Sequence, residues 1–192
     1  MIKNRNPELF EASYSTLSAW ERGDWDRAIQ LYFHLETETT EAMRQGKLWH
    51  KKFEEEVKKT GCHPKVFGGQ KIVGKFSTEI RVEKKIADWL QLNGVIDLKT
   101  ENMIIDYKTG ISSPAVHFKQ IKVYQLFYPE TKLGIIRHFN QYNRKAESIY
   151  YHLNSQTLKD GYNWLITNAS EMYQYLEENN IYQLVEEKYG KI

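Results

Sequence analysis

The hydrophobic positions of this chain change period several times along its length. Residues 16–34 read as a helix with Leu17, Trp20, Ile29 and Tyr32 as core contacts, inside an N-terminal helical segment of about 14–36. Trp49, Phe53 and Val57 follow at i, i+4 and i+8, which places a buried stripe on a longer helix over 38–60. The stretch GCHPKVFGG at 61–69 is a turn-rich break. Apolar runs then predict strands at about 71–83, 85–92, 92–98 and 103–108. A helix over 115–128 is stopped by Pro129. Strands at about 132–139 and 147–152 precede C-terminal helices over 155–190, the first running to about 178. On that long helix Tyr162, Trp164, Leu165 and Tyr173 read as core or boundary residues. No repeat, low-complexity tract or linker divides the pattern.

The densest chemistry lies in GVIDLKTENMIIDYKTG, residues 94–110. It reads as two short apolar strands joined by a polar turn, Lys99-Thr100-Glu101-Asn102. Asp106 and Lys108 are two apart and point the same way. With an even-numbered loop, Leu98 pairs with Met103 and Asp97 faces Ile104. That register sets Asp97, Asp106 and Lys108 on one face, with the aspartates diagonal and roughly 7–8 Å apart at the backbone. Two carboxylates sharing a site repel unless a cation lies between them, and a hard ion such as Mg²⁺ suits oxygen donors. A lysine beside it could hold or activate a water. The set is suited to hydrolysing a phosphodiester. Taken singly, an Asp at a strand end is a turn former and a strand Lys is an edge residue. The neighbours Val95, Ile96, Ile104 and Ile105 place the combination in a buried hairpin, where charges must be paired or metal-bound.

Composition narrows the class. A chain of 192 residues is long enough for one domain with a substantial core. No apolar run approaches the roughly 18 residues of a membrane span, and MIKNRNPELF has no apolar core of a signal peptide. The single Cys62 excludes an internal disulfide and fits a reducing cytosol. Net charge is only +2, but residues 47–85 hold eleven Lys or Arg against five Glu. Such a cluster could steer a polyphosphate. It reads equally as a solvated helix face with pairs Glu54–Lys58 and Glu55–Lys59.

GVIDLK followed by IIDYKTG resembles the core motif of the PD-(D/E)XK nuclease superfamily, in its RecB-type branch. That branch includes the CRISPR-adaptation nucleases and the lambda-exonuclease-like and mitochondrial genome-maintenance exonucleases. Further segments match in order. Gly46-Lys47-Leu48-Trp49-His50 fits GxxxH on a helix, Ser77-Thr78-Glu79 sits where the family often carries a strand acid, and Gln120-Ile121-Lys122-Val123-Tyr124 fits QxxxY. Tyr14-Ser15-Thr16-Leu17-Ser18-Ala19-Trp20 resembles the opening helix. The resemblance runs from about residue 14 to 140.

The resemblance implies a restriction-endonuclease-like α/β core, a central mixed β-sheet flanked by helices, as a single nuclease domain over 1–192 with its core at about 38–153. It implies a metal-dependent deoxyribonuclease, an exonuclease on single-stranded or frayed DNA, using one or two Mg²⁺ or Mn²⁺ ions. Asp97, Asp106, His50 and the backbone carbonyl of Tyr107 would hold the metal, and Lys108 would serve the attacking water. Glu79 is a further ligand by position, with Glu83 on the same strand face as the alternative. Gln120 and Tyr124 would line the site. An imidazole among the donors favours Mn²⁺ relative to an all-oxygen site. One cysteine cannot build the iron–sulfur cluster of many CRISPR-adaptation relatives. His34, His63, His117, His138 and His152 have no such context and read as structural or exposed. The alternative is an inactive or partner-dependent DNA-binding module of a recombination or CRISPR-adaptation complex. The expected partner is DNA and the expected location cytoplasmic; the sequence leaves protein partners, homo-oligomers and the pathway, phage, repair or adaptation, open.

Overall fold

The computed structural model describes residues 9–35, 40–111 and 117–189. Residues 1–8 of the N-terminal segment, and the expected helical positions 36, 38–39, 115–116 and 190, lie outside them. The chain falls into two compact units, one of Thr39–Val82 and Val95–Gly161, the other of Met1–Glu38, Glu83–Gly94 and Tyr162–Ile192.

The first of these carries the hairpin from Val95 to Gly110. Its helix α3 (Glu41–Thr60) begins at Thr40, whose hydroxyl accepts from the Met43 N–H. Strand β2 (Phe76–Ala87) pairs with β3 (Leu90–Thr100), β3 runs antiparallel to β4 (Met103–Thr109), β4 is parallel to β5 (Leu133–Asn140), and β5 is antiparallel to β6 (Lys145–His152). Helix α4 (Phe118–Gln125) makes the crossover between the two parallel strands. Phe53 and Val57 of α3 pack on Leu98, Ile105, Tyr107, Ile135 and Phe139, while Ile121 and Tyr124 of α4 pack on Ile96, Ile104 and Ile136. Ile104 and Ile105 are therefore both buried, as in a strand covered on both faces. This is a mixed sheet flanked by helices, the α/β class expected.

In the second unit β1 (Phe10–Ser13) runs parallel to Leu90–Asn93 of β3. Phe10 stacks on Tyr32 at 4.8 Å and meets Tyr173 at 5.7 Å. Leu165, Ala169, Met172 and Leu176 make a fully buried stripe on α5 (Ser155–Glu178), but Tyr162, read as core or boundary, is 43% exposed. Helix α6 (Ile181–Tyr189) follows Asn180, which has φ +50°.

Several boundaries differ from the sequence reading. The single helix over 14–36 is two, α1 (Tyr14–Glu21) and α2 (Trp25–Tyr32), because Gly23 turns the chain at φ +74°. The strands expected at 71–83, 85–92 and 92–98 are the two long strands β2 and β3. They turn at Asp88-Trp89, where Lys85 Nζ donates to Asp88 Oδ1 at 2.9 Å. The hairpin turn is Glu101-Asn102, two residues and not four, so Leu98 pairs with Ile105 and Lys99 with Ile104. Lys99 stays in the strand because its ammonium lies over the Tyr128 ring, 4.4 Å from the centroid. No helix among the described residues is long and apolar enough to cross a membrane.

Candidate metal centre

Strand alternation breaks at Asp97. Ile96 packs with the α4 face and Leu98 with the α3 face, although two residues apart on a regular strand share a side. The simple same-face register expected for Asp97 therefore does not apply. Instead its carboxylate accepts the Tyr107 backbone N–H at Oδ2, 2.7 Å away, and the same oxygen lies 3.6 Å from His50 Nδ1. His50 arrives on α3, which approaches β4 closely at Gly46. A Cβ there would stand 3.1 Å from Thr109 Oγ1. The glycine of GxxxH thus allows this close approach, which a methyl group would tighten against Thr109.

Glu79 completes a cluster. One ligand atom each of His50, Glu79 and Asp97 lies within 4.8 Å of the others. Glu79 takes the left-handed conformation, φ +49°, in the middle of β2, a strained state for a residue with a Cβ. Glu83 belongs to the other unit. Burial raises the Glu79 pKa, and the charges of Asp97 and Glu54 push it further. Burial pulls His50 down, but the Asp97 carboxylate more than offsets this and leaves the imidazole above its ordinary value.

Asp106 is 2% exposed, and burial raises its carboxyl to about 6 even though Lys108 opposes the shift; the charge of Asp97 adds to it. Lys108 Nζ donates to Asp106 Oδ1 at 3.0 Å and lies 2.8 Å from Oδ2, where the geometry makes no hydrogen bond. The Lys108 ammonium thus stands against both oxygens and offsets part of the cost of burying this carboxylate. The donor set, one imidazole with carboxylates among which the charge of Asp97 raises both Glu79 and Asp106, fits a divalent ion.

The other expected site residues form a separate pair. Gln120 Nε2 donates to Tyr124 Oη at 2.7 Å, both buried on α4. Tyr107 meets the cluster through its N–H, and its side chain points into the core. Its ring lies 5.5 Å from that of Phe53 and 5.6 Å from that of Phe67, and its hydroxyl stands 3.4 Å from His63 Nδ1.

Some buried histidines, and the wall of a cavity at the cluster, had no sequence signal of their own. His63, read as structural or exposed, is buried against Tyr107; burial and then the charge of Arg137 hold it down to about 4. His117 is also held at about 4, by burial, Lys108 and His138. A cavity of about 680 Å³ opens beside His50, Glu79 and Asp97, walled by Met43, Lys47, Lys51 and Val95. The spacing of 43, 47 and 51 by one helical turn was the available clue. Of the pairs expected on that helix Glu54–Lys58 forms, and Glu55 lies 4.0 Å from Lys51 and not on Lys59.

Comparison with known proteins places the fold. The model of the PD-(D/E)XK nuclease superfamily matches residues 2–188. Among solved structures, SSO0001 is similar at TM-score 0.56 and 14% identity, over 85% of this chain and 77% of its own. The alkaline exonuclease LHK-Exo from Laribacter hongkongensis is similar at TM-score 0.50 and 9% identity, over 91% of this chain and 95% of its own. A phage-related exonuclease from Haemophilus somnus 129PT gives 0.49 and 11%, over 93% and 97%. No curated protein matches the chain.

Proposed function

We propose a function from one premise: this chain belongs to the PD-(D/E)XK nuclease superfamily. Within it, the chain is read as a metal-dependent deoxyribonuclease acting in the cytoplasm from the end of single-stranded or frayed DNA, with 1–192 as one nuclease domain. The observation that carries this reading is the convergence of His50, Glu79 and Asp97 within 4.8 Å, in the same unit as the Asp106–Lys108 pair. The neighbour LHK-Exo has also been solved with dAMP, which makes a released nucleotide a natural product to test here.

In this reading His50, Glu79, Asp97, Asp106 and the Tyr107 carbonyl hold one or two Mg²⁺ or Mn²⁺ ions. When bound, the ion supplies Lewis-acid polarisation of the phosphate and a more acidic water. Asp97 is held for that task by the Tyr107 N–H. Lys108, already fixed by Asp106, orients the attacking water and steadies negative charge developing on the phosphoryl oxygens. Gln120 and Tyr124, locked to each other, support the substrate strand near Lys108.

The test is cleavage of end-labelled single- and double-stranded DNA with Mg²⁺, Mn²⁺ or EDTA, wild type beside Lys108→Ala. Expected are cutting with either ion, at least as fast with Mn²⁺, a ladder from one end, and loss of turnover in the variant. Cutting in EDTA, or at the wild-type rate by Lys108→Ala, sinks the reading.

A further inference from the structure

We propose that the cavity beside the carboxylate cluster is a subsite for one unpaired nucleotide of the substrate strand, its base against Met43 and Val95 and its phosphate met by Lys47 and Lys51. This rests on the nuclease reading and assigns the residues that would hold a free terminal base and its phosphate.

Helix α3 carries two ridges here. Gly46 and His50 turn toward Thr109 and Asp97. The ridge of Met43, Lys47 and Lys51 lines the same cavity as Gly46 and His50. Met43 is 37% exposed and Val95 39%. Singly, such side chains are ordinary surface. Here they come from a helix and a strand and line one cavity of about 680 Å³ that ends on the metal cluster. That volume lies in the range of small-molecule sites and suits one nucleotide. A paired base must leave its stack to enter a pocket of this kind. A thioether and an isopropyl group offer apolar contact without directional hydrogen bonds, so the wall accepts any base face.

The charges add a condition. Lys47 makes no ion pair among the described residues, and Lys51 reaches only the exposed Glu55 at 4.0 Å. Against these two lysines the cavity holds the carboxylates of Glu54, Glu79 and Asp97. Glu54 is engaged by Lys58, so the two remaining carboxylates cancel the two lysines and leave no net attraction for phosphate until a divalent cation arrives; nucleotide binding requires the ion.

The full chain would be titrated calorimetrically with dAMP, deoxyribose 5-phosphate and inorganic phosphate, in Mn²⁺ and in EDTA. Wild type is expected to bind dAMP about tenfold tighter than deoxyribose 5-phosphate, as base contacts elsewhere contribute, and only with Mn²⁺. Met43→Ser and the near-isosteric Val95→Thr, each checked by thermal melting, should shrink that ratio severalfold. Lys47→Ala should weaken all three ligands together. Equal binding of dAMP and deoxyribose 5-phosphate by wild type, or an unchanged ratio in both wall variants, overturns the subsite while leaving a metal-dependent phosphate site and the nuclease reading intact. Failure of all three ligands to bind in Mn²⁺ overturns both.

Discussion

Tyr107 donates its backbone N–H to Asp97 Oδ2 across 2.7 Å while its ring packs between Phe53 and Phe67. One residue therefore ties the core to the candidate metal centre. Asp97→Ala leaves that N–H without its acceptor and should cost about 1–3 kcal/mol. Asp97→Asn keeps an oxygen there and should melt near wild type. Both should weaken Mn²⁺ binding by about tenfold or more. Comparing melts with calorimetric Mn²⁺ titrations separates the two roles, and an Asn variant that binds Mn²⁺ normally removes Asp97 from the ligand set.

Glu79 predicts effects of opposite sign. Its φ of +49° suits glycine, and its carboxylate faces repulsion from Asp97 and Glu54. Without metal, Glu79→Gly should stabilise the protein by about 1 kcal/mol. With Mn²⁺ present the gain should vanish, because a ligand has been lost. Urea melts with and without Mn²⁺ read both; a variant less stable than wild type in EDTA contradicts the strain argument.

His63 sets an acid limit. Its folded pKa of about 4 lies below the unfolded value of 6.5. Above 6.5 both states are neutral there, so the full stability is present. As pH falls from 6.5 toward 4 the unfolded state takes up the proton first, and stability is lost. Wild type should lose about 2–3 kcal/mol more than His63→Asn between pH 7 and 4.5. Parallel melts at the two pH values check this, and equal losses would show that His63 does not titrate across the transition.

Gly46 and Thr109 should be coupled. Ala in a helix gains about 1 kcal/mol over Gly, but a Cβ at 46 meets Thr109 Oγ1 at 3.1 Å. Gly46→Ala should therefore gain little alone and recover most of that kilocalorie in a Thr109→Ala background. Additive effects in the double-mutant cycle would show that the contact relaxes freely.

The parts legible in the sequence were those set locally. Trp49, Phe53 and Val57 announce α3 by their spacing, and the Asp106–Lys108 spacing alone puts both side chains on one side of β4. What escaped depended on distant partners. Strand β1 is four residues long and exists through pairing with Leu90–Asn93. The hairpin register depends on Lys99 lying over Tyr128, far along the chain. The break at Asp97 arises where β3 switches from the α4 core to the α3 core, and no pattern within β3 records it. The left-handed Glu79 sits inside an otherwise regular alternation of side chains.

The division of the chain has a consequence for the order in which the molecule is made. All five side chains assigned to the metal and its water, His50, Glu79, Asp97, Asp106 and Lys108, lie within the segments ending at Gly161. Phe10 must wait for Tyr173, which the ribosome delivers later. During synthesis the segments that end at Gly161 are complete first, and Phe10, already able to meet Tyr32 and Leu90, gains its last aromatic neighbour only when Tyr173 emerges.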